Sequence, residues 1–462
     1  MDVSLAILGT GLLVFLAHLF AAAFDRASIP DVLPLMTIGL ILGPLLGWVS
    51  KDSFGEIGPI FSTIALVVIL FHSGLELKLS DLKNSIFDAT GLTLVSFIFT
   101  ILVVMLVGTV WLGLPLIGSI LLGFIIGGTS AAVIIPLVGK LDILKETKTK
   151  LVLESSLSDV LCIVGTLTVL EIASTGQLDA GKLIGSTAAS FIMAAAIGVL
   201  LGFVWSYILS FFHELENAIL TTPAFVCIAY SFTQLLGFSG PIAALCFGIT
   251  MGNIRNLELP TVGRLFGIDG DRGDKLKKSI AGRVFLAVGR FLNPAAAKEP
   301  LKTDQFKALS SARPTGLHWI DQAVIGELVF LCKTFFFVYL GICIHLQDFK
   351  QLWAGVIMTL WIYFIRILAV KTTLPKETPK EDALNACILA PKGLASAVLA
   401  SVTLQYGFPY GEVVQNVAYS VILISTIFTA FLVFLLKQKL PLEPHNFMLR
   451  KYGAAKEAEE PA

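Results

Sequence analysis

The sequence predicts an all-α polytopic membrane protein, and three observations carry that prediction. Hydrophobic residues make up 56% of the 462 positions and charged residues only 14%, where a soluble domain carries roughly 25% charge. Mean hydropathy is +0.85, and apolar stretches recur from Val3 to Leu436 rather than forming one anchor. These stretches are apolar on every side, which fits helices. A membrane barrel would alternate polar and apolar residues over about 10 positions per strand, and lipid offers no partner to an open backbone.

Thirteen spans follow in order, over 3–24, 32–49, 57–77, 90–111, 115–139, 149–171, 183–212, 218–236, 240–255, 323–345, 351–370, 382–404 and 412–436. Each approaches the roughly 20 residues that a helix needs to cross a bilayer. The first span begins two residues after Met1 without a basic segment, so it reads as a span rather than a cleaved signal. The basic residues test the count independently. With the N-terminus outside and the C-terminus cytoplasmic, fifteen Lys and Arg of the short loops and tail lie inside and three outside, as the positive-inside rule requires. The long loop, counted from Arg255 to Gln322, adds twelve more on the inner side. The chain therefore divides into a first membrane part, residues 1–255 with spans one to nine, and a cytoplasmic loop, 256–322. A second membrane part, 323–436, holds spans ten to thirteen, and 437–462 forms a cytoplasmic tail.

Within the loop, residues 277–292 (KKSIAGRVFLAVGRFL) place Ile280, Val284, Phe285, Val288, Phe291 and Leu292 at helical spacing with basic residues on other faces. That pattern suits a helix lying in the lipid interface or packed beneath the membrane body. The tail ends in AAKEAEEPA and reads as disordered. The six cysteines all fall in apolar segments without metal-ligand spacing, so no disulfide frame, zinc site or cofactor is indicated. Net charge is zero, and no nucleic-acid partner is expected.

Asp159 is the residue that points to function. It sits mid-span in LVLESSLSDVLCIVGTLTVL, where a charge costs roughly 2.5–3.5 kcal/mol on insertion scales. Such groups normally pair, face water, or carry ions and protons. Beside Asp159, the residues Glu154, Lys333, Arg366 and Lys392 are the charges within spans that need explaining; Lys333 reads as a snorkelling side chain. Two spans also contain helix breakers. Span five carries Gly127-Gly128-Thr129-Ser130 followed by Pro136, and span twelve carries Ala390-Pro391-Lys392-Gly393. Paired interruptions of this kind are the best sequence pointer to a transporter's ion site, because half-helix ends present free backbone groups.

Alkali cations are hard and want oxygen ligands. Asp159 supplies a carboxylate, Ser155 lies one turn away on its face, and Thr129 and Ser130 add hydroxyl and carbonyl oxygens. One carboxylate cannot hold a cation and a proton together, so the two compete, and the balance between burial and the nearby Lys392 decides which wins. A single shared acid implies electroneutral exchange of one cation for one proton. Glu154 stands about 140° around the helix from Asp159, which favours a structural role for it. His72, a turn from Glu76, reads as a helix-contact histidine, with pH sensing as the alternative.

Leu122 to Leu170, together with LFHSGLELKLSDL (70–82), FFFVYLG (335–341) and LAPKGLASAVLA (389–400), resembles the monovalent cation/proton antiporter superfamily, which includes the sodium/hydrogen exchangers and the Kef-type and NhaP-like antiporters. The resemblance implies a thirteen-helix homodimer in the cell membrane with an inverted repeat. A six-helix core, spans four to six and eleven to thirteen, would move against a dimerisation domain, and the broken spans five and twelve would cross at the ion site. Asp159 matches the family's ion-binding and proton-binding acid. Ser158 stands where relatives carry Asn or a second Asp, and Thr129-Ser130 where sodium-selective relatives carry Thr-Asp. Glu154 and Arg366 match a buried acid–base pair, and Lys392 the basic residue of the second broken helix. The function implied is Na+/H+ or K+/H+ antiport, with proton-independent potassium efflux or a cation channel as the alternative. No protease motif or phosphate-binding loop appears on the spans, so neither an enzyme nor an ATP-driven pump is expected.

Overall fold

The computed structural model describes residues 3–27, 30, 32–50, 57–77, 79–175, 180–212, 220–254 and 319–438. The predicted interface helix at 277–292 and most of the tail lie outside the described residues. Among those described there is no strand, and fifteen α-helices follow one another. The first part holds α1 (Val3–Ala27), α2 (Val32–Leu40, continued by a π turn to Leu45), α3 (Ile57–Glu76), α4 (Leu79–Val107), α5 (Leu116–Ile126), α6 (Ala131–Lys140), α7 (Lys145–Thr175), α8 (Ala180–Phe212), α9 (Thr221–Leu235) and α10 (Gly240–Asn253). After the loop come α11 (Trp319–Ile342), α12 (Phe349–Thr373), α13 (Lys380–Ile388), α14 (Leu394–Gln405) and α15 (Gly411–Lys437).

Seven helices among the described residues are long and apolar enough to cross a membrane, including Phe87–Leu112, Lys145–Ser174, Phe349–Thr373 and Gly411–Lys437. Shorter apolar helices cover Leu8–Ala21, Val32–Leu45, Thr63–Glu76 and Leu394–Gln405. Helix α4 starts at Leu79, eleven residues before the predicted span at 90. Hydropathy marks only where the helix is apolar, and LSDLKNSIFD can be helical without being apolar.

Two apolar clusters organise the packing. The larger joins residues of α1 to α8 and α10 to α15; the smaller joins α3, α8, α9, α10 and Ile325 of α11. In lipid, helix association depends on close backbone approach rather than on a hydrophobic drive, and small residues supply it here. A Cβ on Gly248 of α10 would strike the Phe71 carbonyl of α3, and one on Gly341 of α11 would strike the Met36 carbonyl of α2. The larger cluster wraps α7, the helix that carries Asp159.

Candidate functional site

Two non-helical stretches meet beside α7. Helix α5 ends at Ile126 and α6 begins at Ala131; α13 ends at Ile388 and α14 begins at Leu394. Consecutive glycines at 127 and 128 are poor helix formers, and Pro391 lacks a backbone donor and disfavours helix before it. The stretches are joined directly, because the Ser130 N–H donates to the Pro391 carbonyl at 2.8 Å. Contact is close: a Cβ on Gly393 would collide with the Ser130 side chain.

The interruption frees backbone groups inside an apolar body, and each needs a partner. Lys392, only 2% exposed, donates its ammonium to the Gly128 carbonyl at 2.9 Å and the Gly127 carbonyl at 3.3 Å. A cation at these carbonyls also suits the negative end of the α5 dipole. Helix α7 takes the freed donors. Thr129 N–H donates to Ser158 Oγ at 3.0 Å, and Gly128 N–H to Cys162 Sγ at 3.0 Å. The Ser130 carbonyl accepts from Val133 and Ile134. The Thr129 carbonyl accepts no hydrogen bond among the described residues. The Ser130 hydroxyl is buried, does not cap α6, and has no hydrogen-bond partner among the described residues.

On α7, Ser158 Oγ donates to the Ser155 carbonyl at 3.0 Å and lies 3.4 Å from Thr129 Oγ1. Ser155, fully buried, donates to the Val152 carbonyl at 2.9 Å. Asp159 is half-buried and makes no hydrogen bond or ion pair among the described residues. The Lys392 ammonium makes no ion pair with Asp159 among the described residues and is held instead by the Gly127 and Gly128 carbonyls. Lys392 spends its donors on the α5 carbonyls because those acceptors would otherwise be unsatisfied.

Glu154 faces elsewhere. Its carboxylate is held by both terminal nitrogens of Arg366, with Nη2 at 2.7 Å from Oε2. Both residues are at most 2% exposed. Arg366 also donates from Nη1 to Ser96 Oγ at 3.0 Å and from Nε to the Ala386 carbonyl at 2.9 Å. One side chain thereby ties α4, α7, α12 and α13 together. A small cavity lined by Thr93, Ser96, Glu154, Arg366, Thr129 and Lys392, among others, lies on this side; Asp159 is not on its wall. The same cavity wall also includes Ser158 of α7.

Sequence reasoning missed several contributors. Asp382 of α13, 3% exposed, accepts from Leu144 N–H at 3.1 Å and Thr147 Oγ1 at 2.6 Å, capping the start of α7. Lys150, placed by sequence at the cytoplasmic end of span six, is 4% exposed and pairs with Asp88 at 2.8 Å and Glu146 at 2.9 Å. Ser96 and Cys162 carry no sequence signal beyond lying in apolar spans. His72 sits 3.8 Å from Glu76, one turn along α3. Among the described residues no group of three or more His, Cys, Asp or Glu converges to hold a metal ion.

A model of the transmembrane sodium/hydrogen exchangers matches residues 11–260 and 318–438, which takes in both non-helical stretches, α7 and Arg366. The chain belongs to the sodium/hydrogen exchanger family. Within that family it is 29% identical over 268 residues to Na(+)/H(+) antiporter 1 of Methanocaldococcus jannaschii, covering 55% of this chain and 61% of that protein. It is 25% identical over 293 residues to the K(+)/H(+) antiporter NhaP2 of Shewanella sp. (strain MR-4), covering 62% and 49%. It is 24% identical over 436 residues to the K(+)/H(+) antiporter NhaP of Alkalimonas amylolytica, covering 92% and 65%. The chain thus spans about half to two thirds of the lengths of these relatives. The fold also resembles the sodium proton antiporter MjNhaP1 from Methanocaldococcus jannaschii at pH 8, with a TM-score of 0.67 and 22% identity over 93% of this chain and 100% of that one. The exchanger fold accounts for the all-helical architecture and the many apolar helices.

Proposed function

We propose that this chain is a secondary antiporter exchanging a monovalent alkali cation, Na+ or K+, for H+, with both ligands competing for Asp159. The observation that carries the reading is the difference between two acids of one helix. Glu154 is fully committed to Arg366, whereas Asp159 has no hydrogen-bonding or charged partner among the described residues. A carboxylate placed this way needs a mobile counter-ion or a proton. Uncommitted oxygens lie in the stretch beside α7: the Thr129 carbonyl and the Ser130 hydroxyl. Thr129 and Ser158 add hydroxyls, and Ser155 supports them from one turn below. The relatives named as Na(+)/H(+) and K(+)/H(+) antiporters support the same chemistry.

Protonating Asp159 removes the charge that holds the cation, and binding the cation displaces the proton. One acid makes the exchange one-for-one and electroneutral. Lys392 remains a fixed cation on the α5 carbonyls and brings no proton into the cycle. In this reading α5 and α6 form one interrupted span, α13 and α14 another, and the thirteen spans run from an outside N-terminus to a cytoplasmic C-terminus. The protein is a homodimer of the cell membrane whose halves form an inverted repeat. Residues 1–255 and 323–436 are its membrane parts, and 256–322 and 437–462 are cytoplasmic.

Dye-monitored proton movement in proteoliposomes, titrated with each alkali cation, tests the reading. Wild type should move protons against Na+ or K+, and apparent cation KM should rise about tenfold for each unit of acidification in the proton-limited range, by mass action at one shared group. Asp159→Asn should abolish exchange while the protein still folds. Cation flux without opposing proton movement would favour the channel alternative, and near-wild-type activity in Asp159→Asn would place the site elsewhere.

A further inference from the structure

The stretch between α5 and α6 rests on α7 most tightly at Gly128 and Cys162. Gly128 N–H donates to Cys162 Sγ at 3.0 Å. A Cβ on Gly128 would stand 2.8 Å from that sulfur and 3.3 Å from the Ser158 carbonyl group. Position 128 therefore has no room for a side chain, and the Cys162 sulfur is the surface on which the stretch sits. Cys162 is completely buried. It lies one turn from both Ser158 and Asp159, on the part of α7 that faces the interruption. Ser158 Oγ holds the next N–H, that of Thr129. Two α7 side chains thus fix the height of the stretch above α7, and the free Thr129 carbonyl rides on it.

We infer that Cys162 is a specificity-determining positioning residue of the cation site: its sulfur sets the separation between the Thr129 carbonyl and Asp159, and thereby which alkali cation fits. The inference rests on the antiport reading above. Alkali cations differ in radius by fractions of an ångström, so ligand spacing on that scale discriminates among them. Sulfur is larger and a weaker acceptor than a hydroxyl oxygen. Replacing it changes both the contact with Gly128 and the hydrogen bond that holds the stretch down, without touching the cation itself.

The test uses the full chain in proteoliposomes, measuring apparent KM and kcat for Li+, Na+, K+ and Rb+ in wild type, Cys162→Ala and Cys162→Ser. Cys162→Ala removes the acceptor and loosens the stretch. It should change the ratio of the Li+ and Rb+ apparent KM values by about tenfold in favour of the larger ion. Cys162→Ser keeps an acceptor but draws the stretch closer, so its ratio should move the opposite way. A merely structural cysteine would change every KM by one common factor, and that result, or unchanged ratios, overturns the inference. If the alanine variant is not monodisperse, the serine variant decides. Absence of cation-driven proton movement in wild type would instead sink the antiport reading itself.

Discussion

Replacing Glu154 by Ala should destabilise the protein far more than it alters cation binding. Arg366 would keep its bonds to Ser96 Oγ and the Ala386 carbonyl but lose both carboxylate oxygens. Were the pair on the surface, its loss would cost about 0–1 kcal/mol. Here Glu154 is 1% and Arg366 2% exposed, and a buried charge stripped of its partner costs about 3–5 kcal/mol. That is a large part of the total stability of a typical fold, about 5–15 kcal/mol. Thermal unfolding of the detergent-purified protein, read by tryptophan fluorescence, should shift down strongly. Apparent cation KM in proteoliposomes should change less than about threefold, a small effect on the free-energy scale of binding. Glu154→Ala combined with Arg366→Met should be less damaging than the sum of the single changes, because no unpaired charge remains. The reasoning fails if KM rises tenfold or more while the unfolding temperature holds, since Glu154 would then be a cation ligand.

Ser158→Asp should make transport sensitive to membrane potential, because a second carboxylate beside Asp159 admits a second proton per cation. The carboxylate can still accept the Thr129 N–H that Ser158 Oγ accepts now, and an unchanged rate under valinomycin-clamped voltage would refute the one-acid account. Gly393→Ala should lower kcat on the order of 100-fold, since its Cβ would force apart the stretches joined by Ser130 and Pro391 and small misplacements of binding groups carry that penalty. Ser130→Gly in the same chain should recover part of the rate, and normal turnover by Gly393→Ala alone would show that the two stretches need not touch.

The helical membrane architecture was legible in the sequence because lipid imposes a one-dimensional rule: each span must be apolar over its own length. Asp159 was legible for the same reason, as a violation of that rule visible without any partner. Glycine and proline at 127–128 and 391–393 marked the non-helical stretches between α5 and α6 and between α13 and α14, since their effect on the backbone is local. What spacing alone could not supply were relations across hundreds of residues. The Glu154–Arg366 pair was expected only through family resemblance, and the Ser96 and Ala386 bonds to Arg366 carried no signal at all. Nor did spacing show that the Lys392 ammonium is held by the carbonyls of Gly127 and Gly128.

By itself, then, the amino-acid order determined that this chain is a bundle of apolar helices with one exceptional acid and two weak points, because each of those properties belongs to a single stretch of chain. Tertiary structure alone decided which charges are neutralised and which is left open. That outcome depends on where freed backbone groups from one half of the chain find donors in the other. Lys392 is drawn to the end of α5, Ser158 and Cys162 to the N–H groups that follow it, and Asp159 is left free.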